Sequence, residues 1–191
     1  VLEGAAELGA HLQRVLAPEL APGEPDAALL QRVLPQARER YDPQHHGLAE
    51  PPAFAPKFPQ AVELTTLLRL GDPAARALVT ATLDAMQQGG MHDQVGFGFH
   101  RYSTDRAWRV PHFEKMLYDN ALLASLYAEA FVATGEPRFA ATARTTLDYL
   151  LRELRSPHGG FFASQDAQSD GREGAYFVWR RSEFDALFGE R

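Results

Sequence analysis

The chain has no cysteine among its 191 residues, which removes disulfides, thiolate catalysis and cysteine-ligated zinc together. It also lacks a surplus of positive charge. Lys and Arg number 19 against 25 Asp and Glu, a net charge of -6, so no basic footprint for nucleic acid is present. No apolar run approaches the roughly 20 residues that span a bilayer, and no membrane partner is expected. Glu3, Glu7 and His11 interrupt the opening stretch VLEGAAELGAHLQRV, which therefore has no signal-peptide core, and a cytoplasmic setting is the expectation. A GxSxG elbow, a Walker loop and a GxGxxG fingerprint are absent too; GFGF at 96–99 has too few glycines and no strand before it. What is there is ordinary globular material, 45% hydrophobic and 23% charged. Val1 is not an initiator and Arg191 follows closely on a helix start at Ser182, so the sequence reads as a piece of a longer chain.

Helical periodicity dominates what remains. Leu2, Leu8, Leu12, Val15 and Leu16 share a face in residues 2–16, and Pro18 ends the run. Asp26 is placed to cap a second helix striped by Leu29, Leu30, Val33, Leu34 and Ala37. Prolines forbid regular structure in DPQHHGLAEPPAFAPKFP. A short helix is predicted over 60–70, and another over 73–88, capped by Asp72-Pro73 and closed by Gly89-Gly90. Val110-Pro111 is expected to open a long helix to about Thr134, stopped by Gly135, with a further helix over 137–155. MLYDNALLASLYAEAF at 116–131 is apolar on most sides, the pattern of an inner helix. In the next helix Phe139, Ala143, Leu147, Leu150, Leu151 and Leu154 oppose Arg138, Arg144, Asp148, Arg152 and Arg155, the pattern of an outer one. GFFAS (160–164) and AYFVW (175–179) read as strands flanking a hairpin loop, DAQSDGREG, and Ser182 with Asp185 starts another helix. HHGLAE, QGGMHD and HGGFFA recur where a helix end meets a polar loop, suggesting repeated helical hairpins with their loops gathered at one end.

GGMHDQVGFGFHRYSTDRAWRVPHFEKMLYDNALL at 89–123 crowds ionisable and aromatic groups ahead of the inner helix. If that helix begins at 110, His112, Lys115 and Asp119 share one face. Histidine is the natural acid/base near neutral pH, and a neighbouring carboxylate can set its tautomer. His92, His112, Asp93 and Asp166 are the catalytic candidates. Gln94, His100, Arg101, Tyr102, Trp108, Glu114, Lys115 and Asp119, joined by Gln165, Glu173 and Tyr176 from the later loop, are the candidates for binding a sugar-like small molecule, whose apolar face suits aromatic rings and whose hydroxyls suit the polar groups. Three alternatives stay open on spacing alone: catalysis, a structural polar network satisfying helix ends, and a non-catalytic ligand site. His92, Asp93, His100 and His112 lack the helix-borne spacing of a zinc site, and neither metal nor cofactor is expected. His11, His45, His46 and His158 read as surface or turn residues.

PKFP at 56–59, the motif at 89–123 and FFASQDAQSDGREGAYFVW at 161–179 resemble the YyaL-type, spermatogenesis-associated family. The resemblance covers residues 26–191. It implies an N-terminal thioredoxin-like domain, missing here, joined to a large helical part similar to six-hairpin glycosidases and N-acylglucosamine 2-epimerases. On that footing residues 1–25 are a linker helix from the missing domain, and 26–191 are the first half of the toroid. The fold class expected is all-α, a partial (α/α) toroid of about three helical hairpins with short β-ribbons at the loop end. Carbohydrate binding or processing, by epimerase- or glycosidase-like acid/base chemistry, comes with the fold by analogy. The alternative is an interaction module serving the thioredoxin-like domain. Partners expected are that domain, the second half of the toroid, and a second copy through exposed apolar helix faces. The sequence departs from the family in three places. The redox CxxC goes with the absent domain, HHGLAEPPAFA stands where a Gly-Gly-Phe-Gly-like turn is usual, and Asp166-Ala167-Gln168-Ser169 stands for Asp-Ala-Asp-Ser.

Overall fold

The computed structural model describes residues 7, 9, 11 and 27–189. The chain divides into two units, 1–31 and 32–191. In the first, Glu7, Gly9 and His11 are helical; the proposed linker over 1–25 and the Asp26 cap otherwise lie outside the described residues. Helix α1 spans Ala27–Arg40. Of its predicted stripe, Leu29 and Leu30 are exposed, whereas Val33 and Leu34 pack on the core beside buried Ala37.

The second unit is built on helices α2 (Ala61–Arg69), α3 (Pro73–Gln88), α4 (Leu117–Thr134), α5 (Pro137–Tyr149) and α6 (Arg181–Phe188). Local chemistry sets several ends where expected. Asp72 accepts hydrogen bonds from the backbone N–H groups of Ala74 and Ala75, with Pro73 in the first turn. Gly135, at φ 74°, closes α4. Helix α5 runs on as a π-helical turn, Leu150–Leu154. Helix α4 packs against both α2 and α5, which accounts for its apolar faces. Its Leu123, Leu126, Tyr127 and Ala130 enter the main core with Leu64, Leu67, Leu83, Met86 and Phe139. Leu147 and Leu151, expected on the buried side of the outer helix, are instead about half exposed, at 49% and 55%. Among the described residues no helix is long and apolar enough to cross a membrane.

Three two-stranded ribbons carry the loops. β1 (Tyr102–Ser103) pairs with β2 (Pro111–His112), β3 (Lys115–Met116) with β4 (Ser164–Gln165), and β5 (Gln168–Ser169) with β6 (Arg172–Glu173). These ribbons correct two expectations. The inner helix begins at Leu117, not at Val110-Pro111, because a residue before proline is pushed to extended backbone and residues 111–112 and 115–116 are claimed by ladder hydrogen bonds. His112, Lys115 and Asp119 therefore do not lie on one helix face. Likewise the hairpin sits inside DAQSDGREG, turning at Asp170-Gly171 with both φ positive, while of AYFVW residues 175–177 form a turn and 178–179 no regular element.

The self-similarity is real, but its middle member is shifted. One loop recurs with HHGLA (45–49), GFGFH (96–100) and HGGFF (158–162) in register, not QGGMHD. In each copy a bridge closes the loop, Tyr41 with Leu48, His92 with Phe99, and Arg155 with Phe161. The same backbone bond recurs across it, Asp42 N–H to Gly47 O, Asp93 N–H to Gly98 O and Ser156 N–H to Gly160 O, each 3.0 Å. In the first two copies a fully buried lysine reaches the aspartate at 2.7 Å, Lys57 to Asp42 and Lys115 to Asp93. Each lysine also lies over an aromatic ring, Trp108 at 5.4 Å and Tyr149 at 4.5 Å. Those same rings cover Gly47 and Gly98, whose positive φ and lack of a Cβ permit the contact.

Candidate functional site

Two polar groupings emerge from these loops. The first runs along the ribbons to the first turn of α4. Glu173 Oε1 accepts from His112 Nδ1 at 2.6 Å, and His112 Nε2 stands 3.9 Å from Glu114 Oε2. Glu114 Oε2 in turn accepts from Arg101 Nη1 at 2.9 Å. Register explains the meeting: Tyr102 opposes His112 across β1–β2, and the Arg101 N–H donates to Glu114 O. The His112 ring stacks on Tyr102 at 5.0 Å, and Tyr102 on Phe58 at 4.7 Å. With its Nδ1 proton directed at a carboxylate, the imidazole presents Nε2 on the opposite side.

Asp119 completes this array. Burial pushes its carboxyl pKa up to about 6, the charge of Glu114 adds to the rise, and Arg101 opposes it. Its Oδ2 is buried without a hydrogen-bond partner, as is Arg101 Nε. Three carboxyl groups, those of Glu114, Asp119 and Glu173, thus gather around one guanidinium and one imidazole. Tyr118, which the sequence reading passed over, lies against Arg101.

The second grouping lines a cleft of about 560 Å³ containing His92, Asp93, Gln94, His100, Phe113, Phe177 and Trp179. Burial lowers the pKa of both histidines, that of His100 to about 4. His100 Nδ1 donates to Phe113 O at 3.1 Å, and its ring meets Phe113 and Phe177 edge-on. Neither ring nitrogen of His92 has a hydrogen-bond partner. Another depression, of about 520 Å³ beside His45, Asp84 and Trp108, holds none of the acid/base candidates.

Several expected site residues are committed elsewhere. Asp93 is held by Lys115 and by the N–H groups of Val95 and Gly96; burial alone would raise its pKa, but these bonds lower it. Lys115 is 1% exposed and also donates to Phe97 O. Trp108 is 1% exposed, with its indole N–H spent on His45 O and His46 O. Gln94 bonds three backbone carbonyls. Gln165 accepts from the Tyr149 hydroxyl. Asp166 is exposed and accepts from the Gln168 N–H, and Tyr176 is exposed at 74%. His92, Arg101, His112 and Asp166 therefore do not converge on one pocket: His92 is in the cleft, Arg101 and His112 are in the array, and Asp166 is in a turn. Among the described residues no group of three His, Asp or Glu is placed to hold a metal ion.

No protein-family model matches the chain. Spermatogenesis-associated protein 20 of Homo sapiens is 44% identical over 181 residues, 87% of this chain and 22% of the relative. The chain thus spans about a fifth of the length of the curated relatives it matches. Among solved structures, cellobiose 2-epimerase from Spirochaeta thermophila has a TM-score of 0.63 at 21% identity, over 73% of this chain and 41% of that one. A sugar epimerase from a ruminal bacterium has a TM-score of 0.62 at 12% identity, over 75% and 43%. The family resemblance carried by the motifs holds, and so does the fold class: a partial helical toroid with small ribbons.

Proposed function

From a chain that is a homologue of spermatogenesis-associated protein 20 and has the fold of sugar epimerases, we propose that the longer protein processes a carbohydrate and that the Arg101–Asp119 array supplies its proton-transfer group. The single observation behind this reading is Asp119, a half-buried carboxyl with one unpartnered oxygen and a pKa near 6, beside a guanidinium. A general base works best when its pKa lies close to the working pH. In this reading Asp119 takes the proton from the carbon next to a sugar carbonyl, Arg101 steadies the oxygen that becomes negative, and Glu114, His112 and Glu173 orient hydroxyls. Residues 1–25 lead from a thioredoxin-like domain, and residues 26–191 form the first half of the toroid. The test is to incubate the full-length protein in D2O with a panel of reducing and N-acyl sugars, cellobiose included, and to follow carbon 2 by NMR. Deuterium incorporation that disappears in Asp119→Asn is expected. Absence of binding and of exchange for every sugar, in a folded protein, overturns the proposal.

A second reading, an interaction module for the thioredoxin-like domain, draws on exposed apolar side chains such as Tyr176, Trp179 and Phe188. It predicts that their replacement by serine weakens capture of that domain added in trans, while the Asp119 substitution has no effect on capture.

A further inference from the structure

The cleft holding His92 is not used by the proposed sugar chemistry, yet it has the features of a built site. His92 is 5% exposed, and both its ring nitrogens lack partners, an arrangement that costs on the order of 1–3 kcal/mol per unsatisfied group unless something fills the gap. The Gln94 side chain beside it offsets part of the burial penalty on the ring, while its Nε2 donates to the carbonyls of Gln87, Gly89 and His92. Around the imidazole the walls are mostly apolar and aromatic, Val110, Pro111, Phe113, Phe177, Val178 and Trp179, with Arg109 also in the lining. A smaller hollow bounded by Asp93, Tyr176, Phe177 and Trp179 borders it.

Charge narrows the ligand class. The Asp93 carboxylate at the edge is neutralised by Lys115 at 2.7 Å, and burial disfavours the charged form of both His92 and His100. The cleft therefore offers a neutral imidazole in largely apolar surroundings, with the Arg109 guanidinium as a further polar group of its lining. A sugar suits it poorly, since its many hydroxyls would lose water and find few partners. A volume of about 560 Å³ is that of a small-molecule pocket rather than of a helix groove. We propose that this cleft binds a planar aromatic molecule carrying one hydrogen-bond donor, of the phenol class, with the ring between Phe177 and Trp179 and the donor on a nitrogen of His92.

The experiment uses the full-length protein with phenol as probe and toluene as its donor-less control, read by 15N resonances of the histidine rings and by Trp179 fluorescence. Phenol is expected to shift the His92 ring nitrogens and to bind at least tenfold more tightly than toluene. In His92→Phe that preference should vanish, with toluene affinity kept. Trp179→Ala, at a position 60% exposed and so harmless to folding, should weaken both probes. Equal binding of phenol and toluene, loss of neither in the variants, or no binding of phenol at millimolar concentration because further chain fills the cleft, each overturns the assignment. None of these outcomes depends on Asp119 or on sugar turnover.

Discussion

At the residue scale, the ionisable groups make opposite demands on pH. His100 has a folded pKa of about 4 because of burial, against roughly 6.5 when unfolded. Between those values the unfolded chain binds the proton that the folded one refuses, so stability falls as pH drops from about 6.5 to 4. Asp119 works the other way. Its folded pKa of about 6 lies above the roughly 3.9 of an unfolded aspartate, so its contribution is present below that value and is lost as pH rises through 6. Urea unfolding measured from pH 4 to 8 should therefore show Asp119→Asn gaining stability relative to the wild type above pH 6, and His100→Phe losing part of the acid-side decline, the rest staying with His92. The buried pair makes a sharper prediction. Lys115→Met leaves Asp93 with its charge uncompensated and should cost about 3–5 kcal/mol, while adding Asp93→Asn to it should recover part of that loss. Sequence announced that Lys115 and Asp93 were special without saying why. Residues 22 apart in number carry no distance, and a lysine in a polar loop reads as a ligand-binding cation until its burial is seen.

At the element scale, helices were the legible part and ribbons the illegible one. The Asp72-Pro73 start and the Gly135 stop depend on one or two residues acting locally, and the described structure keeps both. Asp72→Ala should accordingly lower stability by about 1 kcal/mol, measured as a shift in the urea midpoint. The start of α4 was misjudged because Val110-Pro111 fits a first-turn proline equally well. What decides the matter is the pairing of Lys115–Met116 with Ser164–Gln165, nearly fifty positions later. The aromatic run AYFVW misled in the same way. Phe177 stacks on Phe113 at 5.6 Å and meets His100, a tertiary role that imitates strand propensity. Gly98→Ala combines a positive φ with a collision against the Tyr149 ring and should destabilise by about 2 kcal/mol or more, whereas Gly135→Ala, with open space around it, should cost less.

At the scale of the whole molecule, the described surface keeps large apolar side chains in contact with water, among them Val132 at 84%, Leu187 at 63% and Phe188 at 62%. Patches of this kind find cover. Sedimentation of the 191-residue chain should show association that strengthens with concentration, and Val132→Lys together with Phe188→Lys should shift it towards monomer. The toroid resemblance was visible in the motifs, but the division of labour inside it was not. Sequence grouped His92 with Arg101 and His112, whereas folding places His92 with His100 in the cleft and the others in the array. The recurring loop carries a consequence of its own. Lys57 and Lys115 each act as a bolt driven from one module through the neck of the module before it, so the modules are fastened in series. Loosening either bolt frees two neighbours at once, which makes unfolding spread along the row from the weakest joint, and the third neck, with Ser156 where the others have an aspartate, has no matching hole for such a bolt.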